Sequence, residues 1–544
     1  MEKSMIIGSG PAAMAAALAT PGALVVDAGY GLEASLAERA AAMGQVDPRA
    51  WSRKEVNWLQ STMVPSTAGV AAKLYFGSDL AYRSSSGGVR WNLRAGYQPS
   101  YAFGGLSTVW GASVLPYWNN EIGEWPLPAE IWASHYQAVL RETGLAGVRD
   151  SLEEILPLHH PEPETLGESN QAKNMRQRME RHRDNLSHAG FRWGRSRLMV
   201  RGAEKSHGAN RLSYHPAAPL SRAQGCVQCG MCMYGCPYDL IYSSRKSILN
   251  WAQEGRIRYQ RGIEVEGFRE WPDRVEVWGK NLEDGQGWRK ETERLFLAAG
   301  TLASTALVLG SPASPTQSAR FLDSQYFTVP LFLLDSAQKV RSEPLHTLAQ
   351  LFLEILPGAI SSRLIHLQIY SYNDMIHRLM KQKLGPLRHS LGFLTERAEG
   401  RLAFLQGYLH SDDSGTMEMS LDSGAPGIRR VSLLARSNPR SRRIVHAALA
   451  KLSRHARQTG FMPIWPMLQM GAPGRGFHSG GSLPMKSVAQ ENEASTDLLG
   501  RPFGLKRVHV VDASVFPSIA ATTITLTAMA NAHRIATEAG QVKP

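Results

Sequence analysis

The chain has 544 residues, 43% hydrophobic and 20% charged, a composition that excludes a disordered or collagen-like protein and leaves room for two domains. Its 60 Lys and Arg against 47 Asp and Glu give a formal charge of +13, which suits an acidic redox protein or an anionic membrane surface before nucleic acid, and equally a generally basic soluble surface. No apolar run reaches the roughly 18 residues of a membrane-spanning helix, and Met1-Glu-Lys-Ser-Met-Ile-Ile-Gly reads as a strand rather than a signal peptide, so a cytoplasmic location is expected.

From the N-terminus, Met5 to Gly8 predicts a short buried strand, Gly8-Ser-Gly10-Pro-Ala-Ala13 the opening of a helix through Leu18, and Leu24 to Asp27 a second strand. This is a dinucleotide fingerprint with alanine in the third glycine place: Gly8 makes the turn, Gly10 lets a pyrophosphate near the backbone, and Ala13 keeps helix and strand close. Asp27 then accepts from an adenosine ribose, which argues against NADP; NAD is the rival ligand, and a glycine turn that binds nothing is the plain alternative.

Residues 31–85, rich in Ala, Ser and Gly, offer little chemistry. Phe103-Gly104-Gly105-Leu-Ser107-Thr-Val-Trp110-Gly111 lacks helical period and can lay backbone along a flat ring, or be an ordinary loop. Trp125-Pro-Leu-Pro introduces an amphipathic helix through Leu140, and His159 and His160 read as solvated loop residues.

All four cysteines fall in Cys226-Val-Gln-Cys229-Gly-Met-Cys232-Met-Tyr-Gly-Cys236-Pro237. The C-x-x-C-x-x-C-x-x-x-C-P run resembles that of bacterial ferredoxins, in which turns aim backbone N–H groups at cluster sulfurs, and Gly230 and Gly235 suit such turns. Zinc prefers two C-x-x-C pairs held well apart, and disulfides need an oxidising compartment and would strain at this spacing. An iron–sulfur cluster on Cys226, Cys229, Cys232 and Cys236 is the reading, with 4Fe–4S favoured over a 3Fe–4S centre on three thiolates.

Beyond the cysteines, Ser243 or Ser244 predicts a cap for a helix through Ala252, Gly262 to Glu266 and Val275 to Trp278 predict strands, and Glu291 to Leu297 runs into Ala298-Ala299-Gly300, a second place for backbone to meet a nucleotide. Leu348 to Ile355, Ile365 to Tyr370, Thr416 to Leu421 and Val431 to Ala435 alternate as strands of one antiparallel sheet in a second domain. Between them, Asp374 to Gln406 reads as a helical stretch carrying Leu387, Leu391, Phe393, Leu394, Leu402, Phe404 and Leu405, suited to packing on the sheet, to a lid or to a membrane surface. Finally, His478-Ser-Gly-Gly481 precedes the strand Val508-His-Val-Val-Asp512-Ala513 and a capped helix beginning at Thr522-Thr523-Ile-Thr525, whose first N–H groups face whatever binds there.

In this order the pieces resemble the glucose–methanol–choline family of flavin oxidoreductases, from Gly8 to Ile535 and most weakly between 311 and 470. The resemblance implies an α/β fold: a discontinuous Rossmann-like FAD-binding domain (1–120, 206–310, 475–544) carrying a ferredoxin-like segment at about 220–240, and a substrate or cap domain (121–205, 311–474) with an antiparallel sheet over the isoalloxazine. It places Asp512 and Ala513 at the ribityl-phosphate region, Val265 at the adenine, and Trp110 with the Thr522–Thr525 helix start at the flavin ring; Gly104, Gly105, Ser107, Ala299 and Gly300 complete the FAD site. His478 takes the place of the family's catalytic histidine, a base for the alcohol proton while hydride passes to flavin N5. The family's second histidine or asparagine is missing between Pro517 and Thr525, where Thr522 or Thr523 can supply a hydrogen bond but not a base.

Most of the family lacks the cysteine run, which resembles the branch whose dehydrogenase subunits carry an iron–sulfur centre. The expectation is therefore an FAD-dependent dehydrogenase of a sugar, polyol or other alcohol, passing electrons through the cluster to a redox protein or quinone, with peripheral membrane contact open to it. A redox-neutral flavin epimerase with a structural cluster and a non-catalytic flavin-binding scaffold are the alternatives.

Overall fold

Apolar runs such as Met5-Ile-Ile7, Val25-Val26, Leu295-Phe-Leu297 and Val508-His-Val510 leave no polar face, which is the mark of a parallel sheet covered on both sides. A computed structural model, which describes residues 1–61, 73–85, 89–202, 225–337, 339–340, 342–374, 399–422 and 429–542, brings these runs together. Arg258–Arg261, Leu24–Asp27, Glu2–Ile7, Gly287–Leu297 and Val508–Val510 lie side by side in that order, every neighbouring pair parallel. The long strand Gly287–Leu297 also takes an antiparallel hairpin, Ile263–Glu270 with Val275–Asn281, along its first half. Helix Pro11–Ala19 packs on helix Thr525–Gln541, and helix Thr301–Leu309 follows the central strand.

The carboxyl ends of these parallel strands gather Gly8, Asp27, Ala298 and Asp512, the place where open α/β sheets bind ligands. Gly8 has φ +109°, and a Cβ there would lie 2.4 Å from the Ala298 carbonyl oxygen, so only glycine lets the strand Glu2–Ile7 turn against the end of Gly287–Leu297.

A second sheet is antiparallel throughout, in the order Phe461–Pro463, Tyr326–Leu333, Leu402–Leu409, Ile365–Tyr370, Leu351–Ile355, Phe191–Arg195. One face, with Val329, Leu331, Leu353, Leu367 and Leu405, packs on Ile444, Val445, Leu449 and Leu452 of helix Pro439–Arg454. Each such fully buried side chain contributes about 1.5–3 kcal/mol. The other face carries Glu354, His366, Gln368, Tyr370, Gln406 and Tyr408. A third sheet orders Ser479–Gly480, Ser318–Asp323, Thr416–Asp422, Arg429–Arg436 and Val89–Arg94, the last pair parallel.

Several sequence expectations change. The four anticipated strands do not share one sheet: Leu351–Ile355 and Ile365–Tyr370 belong to the second, Thr416–Asp422 and Arg429–Arg436 to the third. Alternation identifies a strand without naming its partner. Leu402, Phe404 and Leu405 are in a central strand rather than a helix, fixed by pairing on both edges, while Leu387, Leu391, Phe393 and Leu394 lie outside the described residues. Helix Ser244–Gln253 has no side-chain cap because the Ser243 hydroxyl faces that of Ser107, 3.1 Å away. The C-terminal helix starts at Thr525 without a side-chain cap and runs to Gln541. His160 is buried, and His159, half-buried, stacks on Tyr136 at 4.9 Å between ring centres, so neither is a freely solvated loop residue. Among the described residues no helix is long and apolar enough to cross a membrane.

Candidate active site

A single cavity of about 380 Å³ extends from the carboxyl ends of the parallel strands to the polar face of the second sheet. At one end Gly8, Gly10, Asp27, Val265, Ala299 and Gly300 line it. A Cβ at Gly10 or Gly300 would meet no protein atom within 4 Å, so glycine there leaves open space beside the backbone. Asp27, at the end of its strand, accepts from the Ser9 hydroxyl and from the backbone of Gly29 and Ala28; burial nonetheless pushes its carboxyl up to about 7. Ser9 also accepts from the Gly104 N–H at 2.9 Å, and a Cβ at Gly104, whose φ is +94°, would strike the Ser243 hydroxyl. Gly105 sits directly against Gly10.

Further along, Asp512 accepts from the hydroxyls of Ser304 and Ser514, each at 2.5 Å, and burial raises its carboxyl above the usual range. Asp512, Ala513, Ser107 and Trp110 line the cavity together with Thr523, Ile524 and Thr525 at the start of the C-terminal helix. Neither Lys nor Arg does so among the described residues. An anionic group would be met by backbone N–H groups and the positive end of a helix. Ala13 lies behind, fully buried in the helix Pro11–Ala19, and Gly104 and Thr522 are likewise outside the lining.

At the far end His478 lines the cavity with Gln368, Tyr370, Gln406 and Tyr408. Its ring stacks on Tyr408 with centres 4.7 Å apart, and its Nδ1 has no protein partner among the described residues. Burial first, and then the neighbouring His366, bring the imidazole down to about 3, so it is neutral at pH 7 and able to accept a proton. Of the two threonines offered as its partner, Thr523 lines the cavity but its hydroxyl accepts from the Leu115 N–H at 2.8 Å, while the fully buried Thr522 hydroxyl has no partner among the described residues.

Comparison with known proteins bears on this arrangement. Residues 412–532, which include His478, Asp512 and the start of the C-terminal helix, match the family GMC oxidoreductase over its C-terminal domain. The chain is an FAD-dependent oxidoreductase acting on CH–OH groups. Its fold is similar to that in the crystal structure of pyridoxine 4-oxidase from Mesorbium loti, with a TM-score of 0.56 and 13% identity over 100% of both chains. No curated protein matches it in sequence.

The residues fit FAD in this oxidoreductase. The open space beside Gly10 and Gly300 suits a pyrophosphate, the Asp27 carboxylate a ribose, and the uncapped helix start an electron-rich ring. What sequence reasoning missed is the sheet face of Gln368, Tyr370, Gln406 and Tyr408. Its signal was the alternation His366-Leu-Gln368-Ile-Tyr370, a strand with a polar face among fully buried residues.

The cysteine loop packs beside this cavity. Helices Ala34–Gly44 and Arg53–Ser61, from the stretch that offered little chemistry, cover it through Met43 and Leu59, with Trp51 between them, against Met231, Tyr234 and Tyr238. All four thiols are free; Cys232 is buried and the others half-buried. Backbone N–H groups of Gln228, Met231 and Leu240 donate to the sulfurs of Cys226, Cys229 and Cys236, and Gly230 and Gly235 hold positive φ, 75° and 133°. Burial raises the Cys229 thiol well above its usual value, with the charges of Cys232, Cys236 and Cys226 adding to it.

Among the described residues, no three or more His, Cys, Asp or Glu side chains converge where one metal ion would sit, an arrangement zinc requires. Cys236 shares a small cavity with Lys73, Tyr75 and Ser107, and Ser107 also lines the large one.

Proposed function

We propose that this oxidoreductase is a dehydrogenase of a sugar, polyol or other alcohol, and that an iron–sulfur cluster on Cys226, Cys229, Cys232 and Cys236 hands its electrons singly to an external redox protein or quinone. The observation that carries the first part is the one cavity that joins Gly8, Gly10, Asp27, Gly300 and Asp512 to a neutral His478 whose Nδ1 has no hydrogen-bond partner among the described residues. FAD, when bound, supplies the acceptor for the hydride. His478 takes the hydroxyl proton as the C–H bond gives up its hydride and the carbinol becomes a carbonyl. The Tyr408 ring keeps the imidazole plane fixed while burial keeps it unprotonated beforehand. At the Thr525 helix start, N–H groups without a side-chain cap favour the negative charge that reduction brings to that end of the site.

The relay rests on Ser107, the shared wall between the cavity and Cys236, and on backbone N–H groups already turned toward the sulfurs. Residues 1–120, 206–310 and 475–544 as the FAD-binding unit and 121–205 with 311–474 as the substrate unit belong to the same proposal. The test is anaerobic purification followed by iron analysis, absorption and paramagnetic resonance before and after addition of a polyol. We expect flavin bleaching together with cluster signals, both iron and signal being lost in Cys236→Ser. Protein that bleaches its flavin but contains no iron when prepared without air would remove the relay; turnover that needs no acceptor would replace the dehydrogenase by an epimerase.

A further inference from the structure

The polar face of the second sheet is ordered by a chain of hydrogen bonds that begins at a buried carboxyl group. Glu354, fully buried, accepts from His366 Nδ1 at 2.6 Å, which leaves Nε2 of that ring as an acceptor. Gln368 Nε2 donates to it at 3.1 Å, so the Gln368 carbonyl must point the other way, where the Tyr370 hydroxyl stands at 2.9 Å. The same hydroxyl lies 3.1 Å from the Gln406 carbonyl. Strand register puts these side chains on one face, with His366 opposite Tyr408 and Gln368 opposite Gln406. Gln368 is thereby held carbonyl-inward, and the Tyr370 oxygen, its one proton given to Gln368, meets the inner end of the Gln406 amide.

What remains free points at the cavity. The outer polar atom of the Gln406 amide and the hydroxyl of Tyr408 have no protein partner among the described residues, yet neither is sealed away from solvent space. Beside them stands His478, stacked on Tyr408. An alcohol with a single hydroxyl would engage His478 and leave the amide and phenol facing apolar carbon, which a site built for hydrogen bonding rejects strongly. Among the described residues no Lys or Arg lines the cavity to receive a carboxylate or phosphate.

We infer that the substrate is a neutral polyhydroxylated molecule, a polyol or sugar, and that Gln406 and Tyr408 bind a hydroxyl next to the carbinol presented to His478, with Glu354 and His366 as positioning residues. This rests on the reading of the cavity as the alcohol site. The holoenzyme is titrated with a panel of neutral hexitols and hexoses and with 1-hexanol, binding being read from the perturbed absorption of bound flavin and turnover from its bleaching.

At least one panel member should bind about 100-fold more tightly than 1-hexanol. Gln406→Leu and Tyr408→Phe should each cut that preference at least tenfold, raising KM more than they lower kcat. Glu354→Gln should do so more weakly. If 1-hexanol binds as tightly as every panel member, or if the preference survives in both Gln406→Leu and Tyr408→Phe, the inference is wrong. Polyol binding without bleaching would sink the dehydrogenase reading and leave this recognition standing; equal bleaching by 1-hexanol would do the reverse.

Discussion

The two ends of the cavity are made of different material. The nucleotide end is backbone: turns at Gly8, Gly10 and Gly300 and a helix start at Thr525, with Asp27 and Asp512 tied down by serines. The sheet end is side chain: His478, Gln368, Tyr370, Gln406 and Tyr408, oriented by Glu354 and His366. Backbone can hold a cofactor that never changes, because its geometry is set by φ and ψ. Side chains on a rigid sheet can be exchanged without disturbing the fold, which is how one architecture meets many substrates.

Substitutions can break that contrast. The largest effect is expected from His478→Ala, a fall of about 10²–10⁴ in kcat/KM with flavin still bound at full stoichiometry, since general-base catalysis is worth that much. Retention of near-normal turnover in this variant, measured with saturating acceptor, would move the base elsewhere.

Next come two glycines, two residues apart, with different roles. Gly8→Ala forces a Cβ to within 2.4 Å of the Ala298 carbonyl oxygen at positive φ, so the apo protein should lose about 1–3 kcal/mol of stability by denaturant titration. Gly10→Ala has no atom within 4 Å to strike, so apo stability should be unchanged while FAD affinity falls. Equal behaviour of the two variants would erase the distinction between a packing glycine and a ligand glycine.

The pH dependence sharpens the side-chain end. Because burial brings His478 down to about 3, kcat/KM should show no acid limb near the ordinary histidine value of about 6.5, and the base should stay competent well below it. The linked stability has a definite sign. Below about 6.5 the unfolded chain takes up the proton before the folded one does, so the contribution of His478 to stability is present above that pH and is lost as pH falls toward 3. An acid limb in kcat/KM at 6.5 that disappears in His478→Ala would contradict this.

The smallest effect is expected from Thr523→Ala. It removes the acceptor of the Leu115 N–H, at about 1 kcal/mol by thermal unfolding, and should leave the proton transfer untouched.

Much of the nucleotide end was legible in sequence because its determinants are local. A strand, a glycine turn and a helix within twenty residues, and an acidic residue at the next strand end, announce themselves by spacing alone. The cysteine run was equally plain, with Gly230 and Gly235 in the turns its spacing implies. Other local readings went astray where a distant element intervened. Ser243 looked like a helix cap but faces Ser107, 136 positions away, and Leu402 to Leu405 looked helical until two neighbouring strands claimed them.

By itself, then, the order of residues determined which short segments turn, which strands are buried on both faces, and which thiols stand together, since each depends on neighbours a few bonds apart. Only the tertiary structure decided that Gln368, Tyr370, Gln406 and Tyr408 share a face with Glu354 and His366 and look toward His478. Strand register sets that, and register is a property of paired chains, in which a slip of one residue would turn every one of these side chains into the apolar core.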